Sequence, residues 1–293
     1  MVRCRMAFPE FTIPQSSVRV MRHGGGSYRV MTAWPAQAPP EGGFPVVCLL
    51  DADTAFGTMV EAIRLRSRRP DATGVPPAVV VGVSHDGDDA QRRERRTFDF
   101  TTSGVVPPVG EFPDGRAPRT GGASAFLTFL VDEVLATIEG EQPVDTGRRM
   151  LFGHSLGGLL AVHSLFARPA AFRTVVAASP SIWWDAPRVM AAAEQFMTSD
   201  AVVMPRVFLS AGEFEQTLAP WQPDTPFTEA VGERRTRRRM VDHVTGLADR
   251  LGPIGGRGGN IHCEIFPGAD HASVVTLTIS QCLRFGLQDT KPT

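Results

Sequence analysis

The segment Arg149–Phe166, RMLFGHSLGGLLAVHSLF, decides the fold of this chain. A short strand pattern, Arg149–Phe152, runs into the pentapeptide GHSLG, and an apolar helix pattern follows it. A G-x-S-x-G sequence between a strand and a helix predicts a sharp turn that lifts the serine clear of the sheet. The flanking glycines keep Cβ atoms away from neighbouring backbone. We therefore expect Ser155 to be a nucleophile, with the N–H of Leu156 directed at a developing oxyanion.

Short β-rich runs alternate with longer helical patterns along most of the chain, which predicts a mostly parallel sheet with helices on both faces. The first two runs, Ser17–His23 and Ser27–Trp34, flank three glycines and predict an antiparallel hairpin. The later predicted strands are Pro45–Leu50, Pro77–Val83, Arg149–Phe152, Thr174–Ala178, Val207–Ser210 and Ile261–Phe266. The predicted helices are Asp53–Arg66, Ala123–Glu139, Ser155–Phe166, Pro187–Met197, Glu233–Leu251 and Val274–Phe285. This pattern indicates the α/β-hydrolase fold class.

The 293 residues contain neither an internal repeat nor a break in composition, so we predict a single domain. Its core is expected from about residue 15 to residue 288, with rim or cap loops at 101–122 and 213–232. The N-terminus lacks the pattern of a secretory signal, and no apolar run approaches the roughly 18 residues that span a bilayer. These features predict a cytoplasmic protein that does not insert into membranes.

Charge and cysteine content exclude several classes of function. A formal net charge of −1 gives no global attraction for nucleic acid or an anionic membrane. The four cysteines form no CxxC pair, so buried free thiols are expected rather than a disulfide or a zinc site. No metal or organic cofactor is implied.

The base of a serine nucleophile in this fold comes late in the chain, after the acid. Of the seven histidines, His271 alone follows the last predicted strand, in the loop FPGADH. That loop can bring its imidazole over the serine to accept the hydroxyl proton. His262 lies within the strand and is expected to be a sheet residue.

The acid is expected just beyond the strand Val207–Ser210, in the sequence AGEFE. Glu213, directly after the glycine, is the first choice and Glu215 the second. Asp270 adjoins His271 in sequence and is better interpreted as a turn residue.

A second oxyanion donor should come from the loop after an early strand. Here the backbone N–H of Asp53 is the preferred candidate, followed by that of Ala52. The sequence HGGG at 23–26 resembles an oxyanion loop of some lipases. It lies between two β-runs, however, and a hairpin turn is the better interpretation.

The chain resembles the esterase branch of the α/β hydrolases, and most of all bacterial siderophore esterases that act on enterobactin and salmochelin. The resemblance extends from about Leu49 to Phe285. It depends on the sequences LLD at 49–51, VVGV at 80–83, RRTFDFTT at 95–102, GHSLGG at 153–158, SPSIWWD at 179–185, GEFEQ at 212–216 and FPGADHAS at 266–273. The resemblance implies that Ser155 and His271 are the catalytic pair and that Leu156 and Asp53 supply the oxyanion N–H groups. Members differ in the acid, and relatives commonly have glycine where this chain has Ala52.

Substrate contacts are expected from aromatic and basic residues. Trp183 and Trp184 follow a strand end on the edge of the sheet that carries the elbow, where one could line an acyl pocket and the other pack in the core. Arg95 and Arg96 belong to a basic run that could guide an anionic catecholate complex or form a solvated surface. A second cluster, interpreted as a solvated face at the start of a helix, comprises Arg234, Arg235, Arg237, Arg238 and Arg239.

These observations predict an esterase that acts on a small-molecule ester through an acyl-enzyme. Two alternatives remain open from the sequence: acyl transfer to an alcohol, and a binding protein on an inactive hydrolase scaffold. The sequence leaves a homodimer open as well.

Overall fold

The computed structural model describes residues 12–102, 104, 117–199 and 204–288, and these residues build an eight-stranded sheet. The strands are β1 (Ser16–His23), β2 (Gly26–Ala33), β3 (Phe44–Leu50), β4 (Val79–His85), β5 (Val144–His154), β6 (Thr174–Ala178), β7 (Arg206–Gly212) and β8 (Asn260–Phe266). Their order across the sheet is β1-β2-β4-β3-β5-β6-β7-β8. Strand β2 is antiparallel to both β1 and β4, and the other neighbours are parallel.

The N-terminal hairpin is confirmed. His23 pairs with Gly26, and the two turn residues between them, Gly24 and Gly25, have φ angles of 54° and 77°. Two consecutive residues in this left-handed region are typical of a tight hairpin turn, which glycine enters without steric cost. The HGGG sequence therefore forms a turn between strands.

Helices cover both faces of the sheet. They are α1 (Ala52–Arg66), α2 (Pro70–Thr73), α3 (Asp89–Phe100), α4 (Ala123–Thr128), α5 (Ala136–Glu141), α6 (Leu156–Ala167), α7 (Ala186–Thr198), α8 (Pro226–Arg238), α9 (Met240–Leu251) and α10 (Val274–Leu287). A π-helical stretch, Phe129–Leu135, joins α4 to α5, so the single helix predicted there is three consecutive helical segments. Short 3₁₀ turns lie at Ile182–Trp184, Glu213–Glu215 and Gly252–Arg257.

The core has two layers because the central strands are buried on both sides. In β3, Val47 and Leu49 pack with α1 and α10, whereas Val46 and Cys48 pack with α6 and its neighbours on the opposite face. A continuous apolar run such as this is typical of a parallel strand between two helical layers.

The structure also corrects the sequence predictions around Arg239. Arg239 adopts a left-handed conformation with φ 46°, which divides the helix predicted at Glu233–Leu251 into α8 and α9. Helix α8 begins at Pro226, inside the predicted 213–232 loop. The arginine cluster therefore ends a helix instead of opening one, and the negative end of the helix dipole favours positive charge there.

Helix α3 was not expected, because its sequence DAQRRERRTFDF lacks an apolar repeat. It begins with a capping box in which the Asp88 side chain accepts from the N–H of Gln91, whose side chain accepts from the N–H of Asp88. Most of the predicted loop at 101–122 lies outside the described residues.

Two further observations concern membranes and cysteines. Within the described ranges, no helix is both long and apolar enough to cross a membrane. Cys48, Cys263 and Cys282 are free thiols, and Cys48 and Cys282 are buried.

Candidate active site

The turn between β5 and α6 holds Ser155 in a strained conformation, with φ 59° and ψ −119°. A Cβ on Gly153 would lie 2.1 Å from the Gly157 carbonyl oxygen, so only glycine fits there. A Cβ on Gly158 would lie 2.9 Å from Pro180 Cα, which also excludes a side chain. Gly157 is less restricted, since its nearest contact would be Asp51 Oδ2 at 3.2 Å. The strain is maintained by close backbone packing on both sides of the serine.

Hydrogen bonds fix the backbone of Ser155. Its N–H donates to the carbonyl of Ala178 at 3.0 Å, and its carbonyl accepts from the N–H of Leu159 and of Ser181, each at 3.0 Å. The hydroxyl of Ser155 lies 3.3 Å from the hydroxyl of Ser181. The nucleophile candidate is thus held by the segment that follows β6 as well as by its own helix.

His271 is held by Glu215. The Glu215 Oε2 atom lies 2.5 Å from His271 Nδ1, and the Glu215 side chain is 2% exposed. Glu213 instead accepts a hydrogen bond from the N–H of Gly268 at 2.7 Å. The preference for Glu213 as the partner of the imidazole is therefore wrong, because the 3₁₀ turn directs the third residue of the loop inward.

The second oxygen of Glu215 is also engaged. Its Oε1 accepts from Ser179 Oγ at 2.5 Å and from the Gly212 N–H at 2.7 Å. Burial raises the pKa of the Glu215 carboxyl, but His271, Gly212 and Ser179 together bring this pKa below its ordinary value. The carboxylate is therefore ionised and oriented at neutral pH, as required for stabilising an imidazolium.

His154, inside the elbow sequence, lies against the base, with 4.5 Å between its ring centroid and that of His271. Burial, followed by repulsion from His271, lowers the pKa of His154 to about 4. His154 is therefore neutral at physiological pH and adds no positive charge beside the base.

The two expected oxyanion donors lie in different surroundings. Leu156 begins α6 and lines the same cavity as Ser155. The Asp53 N–H, in contrast, donates to Ser84 Oγ at 2.9 Å, and Asp53 lines a neighbouring cavity of about 930 Å³. Ala52 lines that neighbouring cavity too. A role for Asp53 in an oxyanion hole would require its bond to Ser84 to be broken.

The cavity that contains Ser155 and His271, here called the elbow cavity, has a volume of about 330 Å³. Its other described lining residues are Arg96, Leu156, Ser181, Trp183, Trp184, Glu215, Val231, Arg234, Arg235, Arg238 and Met240. Both tryptophans thus reach the site, and Arg238 Cζ lies 4.0 Å from the centroid of the Trp183 ring. Three of the α8 arginines interpreted as a solvated face, namely Arg234, Arg235 and Arg238, thus line this cavity.

The two arginines predicted to contact substrate have different positions. Arg96 lines both cavities and forms a paired contact with Asp51, from Nε to Oδ1 at 2.7 Å and from Nη2 to Oδ2 at 2.8 Å. Arg95 points elsewhere, donating to Asp99 Oδ2 at 2.8 Å and to Gly24 O at 2.7 Å. The structure therefore does not bring Arg95 to the elbow cavity as the sequence prediction required, because neighbouring positions on a helix face different directions.

The contacts of Ser179 and Ser181 are not predicted from the sequence, although both serines lie in the SPSIWWD motif. The signal was available, since two serines flank a proline directly after a strand that ends at the elbow edge of the sheet. In the part of the chain that the structure describes, no group of three His, Cys, Asp or Glu residues could hold a metal ion.

Comparison with known proteins identifies the family. The family model described as "Putative esterase" matches residues 23–253. The chain belongs to this esterase family. Its reaction class is accordingly carboxylic ester hydrolysis.

Two curated relatives resemble the esterase over most of its length. Ferri-bacillibactin esterase BesA of Bacillus subtilis is 36% identical over 287 residues, which cover 96% of this chain and 93% of the relative. Siderophore enterobactin esterase of Emericella nidulans is 33% identical and covers 89% of each chain.

Solved structures agree with the fold. The BES protein from Bacillus cereus superposes with a TM-score of 0.82 at 30% identity, covering 97% of the esterase and all of that chain. Siderophore hydrolase EstA from Aspergillus nidulans gives a TM-score of 0.83 at 27% identity, covering 96% and 98% of the two chains. The predicted α/β-hydrolase fold is confirmed.

Proposed function

We propose that the chain is a serine esterase that acts through an acyl-enzyme. Ser155 Oγ attacks the ester carbonyl while His271 Nε2 takes the hydroxyl proton, and the alcohol leaves with that proton. Water, deprotonated by the same imidazole, then releases the acid from Ser155. The 2.5 Å contact between His271 Nδ1 and Glu215 supports this mechanism, because it fixes the tautomer that leaves Nε2 free to accept a proton.

The N–H of Leu156 serves as the first oxyanion donor in this proposal. It lies at the positive end of the α6 dipole, next to the serine. Asp53 serves as the second donor only if substrate binding separates its N–H from Ser84 Oγ. The oxyanion hole of this proposal is thus completed when the ester binds.

The substrate proposed is an ester of an anionic, aromatic, siderophore-type compound. The observation that carries this proposal is the charge of the elbow cavity. The described residues that line it include four arginines but a single carboxylate, that of Glu215, which is bound to His271. One of the four, Arg96, is paired with Asp51 outside the cavity, so the excess of positive charge comes mainly from the arginines of α8. Such a surface attracts negative charge and repels cationic ligands.

Relatives narrow the choice of siderophore. The names of the curated relatives specify ferri-bacillibactin, enterobactin and triacetylfusarinine C. Three catecholates bind iron as dianions and give an anionic complex, whereas three hydroxamates give a neutral one. The arginines and the Trp183–Arg238 stack therefore favour a catecholate triester, since guanidinium groups pair with anions and stack on aromatic rings.

The test is hydrolysis of a panel of esters by the purified protein, with Ser155→Ala as control. The panel comprises bacillibactin and enterobactin, each iron-free and ferric, triacetylfusarinine C and short p-nitrophenyl esters. We expect the highest kcat/KM with a catecholate triester and no turnover by Ser155→Ala. Preference for triacetylfusarinine C would refute the catecholate assignment, and turnover by Ser155→Ala would refute the nucleophile.

The arginines are tested by charge removal on α8. Arg234→Gln and Arg238→Gln should each lower kcat/KM for the anionic triester by about tenfold, or about 1.4 kcal/mol, and leave a neutral p-nitrophenyl ester unaffected. Arg237→Gln is the matched control, because Arg237 is on the same helix and lies 3.9 Å from Glu233 with its side chain 60% exposed. Equal losses in all three variants would show a general effect of charge and not a substrate contact.

A further inference from the structure

The segment Ser179-Pro180-Ser181 contacts both ends of the candidate catalytic machinery. At one end, Ser179 Oγ donates to Glu215 Oε1 at 2.5 Å. At the other, Ser181 donates its N–H to the Ser155 carbonyl at 3.0 Å and places its hydroxyl 3.3 Å from Ser155 Oγ. Three consecutive residues therefore connect the acid with the nucleophile, although Glu215 and Ser155 lie on different loops.

Both serines are enclosed. Ser179 is 0% exposed, and Ser181, which lines the elbow cavity, is 3% exposed. A buried hydroxyl without a partner is costly, and a hydrogen bond to a carboxylate is stronger than one between neutral groups. The bond from Ser179 to Glu215 is thus a defined constraint on the carboxylate.

The backbone of Ser179 has an unusual conformation. Its φ angle is 44°, in the left-handed region that non-glycine residues rarely enter. Its N–H donates to the Ser210 carbonyl at 2.7 Å, which ties this conformation to β7. Glycine would adopt this φ without steric cost, so the backbone alone gives no reason for a serine here. The hydrogen bond from the Ser179 hydroxyl to Glu215 does give a reason.

The orientation of the Glu215 carboxylate follows from these contacts. Two donors, Ser179 Oγ and the Gly212 N–H, occupy Oε1 and leave Oε2 facing His271 Nδ1. Without the Ser179 hydroxyl, Oε1 keeps one donor and the carboxylate can rotate about its last bond. The imidazole would then lose a fixed partner.

We propose that Ser179 and Ser181 are positioning residues, the first orienting Glu215 toward His271 and the second holding the Ser155 hydroxyl. This inference rests on the proposed serine-esterase function. Pro180 joins the two serines with a fixed φ, and its Cα lies so near α6 that Gly158 must be a glycine. Acid and nucleophile are therefore positioned from one rigid segment.

The test uses two variants of Ser179 that both lack the hydroxyl but differ in backbone strain. Ser179→Ala keeps the left-handed strain, whereas Ser179→Gly relieves it, so the Gly variant should have the higher Tm. We expect both variants to lose about tenfold in kcat on a neutral p-nitrophenyl ester, with KM within about twofold of wild type. The loss of kcat would then be due to the missing hydroxyl and not to the difference in stability between the two variants.

Ser181→Ala tests the other end of the segment. It should slow labelling by a fluorophosphonate by about tenfold, because this reagent reports the reactivity of Ser155 without ester binding. Ser210→Ala is the matched control. It removes another buried serine hydroxyl on the neighbouring strand, bound to Thr278 at 2.7 Å, and should leave kcat and labelling unchanged.

Three outcomes would overturn the inference. Wild-type kcat in both Ser179 variants would show that the hydroxyl does not position the acid. A loss of kcat that is larger in the variant with the lower Tm, or a loss of kcat in Ser210→Ala as large as that in the Ser179 variants, would show a general effect of destabilisation. A wild-type protein that neither hydrolyses any ester nor reacts with the fluorophosphonate would overturn the proposed function as well.

Discussion

Replacement of Glu215 by glutamine should nearly abolish turnover without disturbing the fold, because the structure dictates which way the new amide must face. Oε1 accepts two hydrogen bonds, from Ser179 Oγ at 2.5 Å and from the Gly212 N–H at 2.7 Å, whereas Oε2 contacts only His271 among its described partners. The amide oxygen of glutamine must therefore take the Oε1 position. Its NH₂ group then faces His271 Nδ1.

The magnitude follows from this orientation. The reversed amide would lose both bonds at Oε1, a cost of about 2–3 kcal/mol at about 1–1.5 kcal/mol each, so at least about 95% of the protein has NH₂ toward His271. Nδ1 must then accept, the proton moves to Nε2, and the imidazole can no longer take the proton of Ser155. A wrong tautomer of this kind lowers kcat by about 10⁴-fold.

The assay is steady-state hydrolysis of a p-nitrophenyl ester at pH 7–8, with thermal unfolding to confirm the fold. Glu213→Gln is the matched control, since Glu213 accepts from the Gly268 N–H at 2.7 Å and an amide oxygen can do the same. We expect the control to keep most of the wild-type kcat. A loss of less than tenfold in Glu215→Gln would refute the assignment of Glu215 as the orienting acid, and a larger loss in Glu213→Gln would reverse it.

Three further predictions concern the elbow. Ser155→Ala should abolish ester hydrolysis and fluorophosphonate labelling while Tm stays within a few degrees of wild type; normal labelling would assign the nucleophile elsewhere. Gly153→Ala should lower the free energy of unfolding by about 3 kcal/mol, because its Cβ would lie 2.1 Å from a backbone oxygen, whereas Gly140→Ala, with no neighbour within 4 Å, should not be destabilising. The pKa of His154 is about 4 in the folded protein, against the ordinary value of 6.5 that applies in the unfolded chain. As pH falls from 6.5 to 4, the His154 imidazole is therefore protonated mainly in the unfolded chain. The free energy of unfolding should therefore decrease by roughly 3 kcal/mol between pH 6.5 and 4, and urea titrations of His154→Gln should lack most of that decrease.

Local patterns in the sequence were sufficient for the scaffold and for the elbow. The hairpin, the buried strands and the turn at Ser155 depend on residues that adjoin in sequence, such as the two glycines after His23. The position of His271 after the last strand follows from chain order in this fold. These features are local in sequence, and for that reason they can be predicted without knowledge of the packing.

Helix boundaries in charged segments were not predictable to the same degree. Helix α3 has no apolar repeat, and the break at Arg239 depends on a single left-handed residue. Without that break, the sequence predicts the α8 arginines at the start of a helix, whereas in the structure they lie at the end of α8. Their contact with the elbow cavity depends on where tertiary contacts place α8, such as those from Arg235 to Thr217 and Gln222, which composition does not encode.

The choice between neighbouring side chains was decided by tertiary structure alone. Glu213 and Glu215 share one loop, and Arg95 and Arg96 adjoin on one helix, yet in each pair one side chain lines the elbow cavity. The choice depends on partners remote in sequence: Ser179 and His271 for Glu215, and Asp51 for Arg96. The sequence by itself thus determined the fold, the elbow and a short set of candidates. Packing selected among those candidates, because a buried charge is stable only where distant segments supply its hydrogen-bond partners.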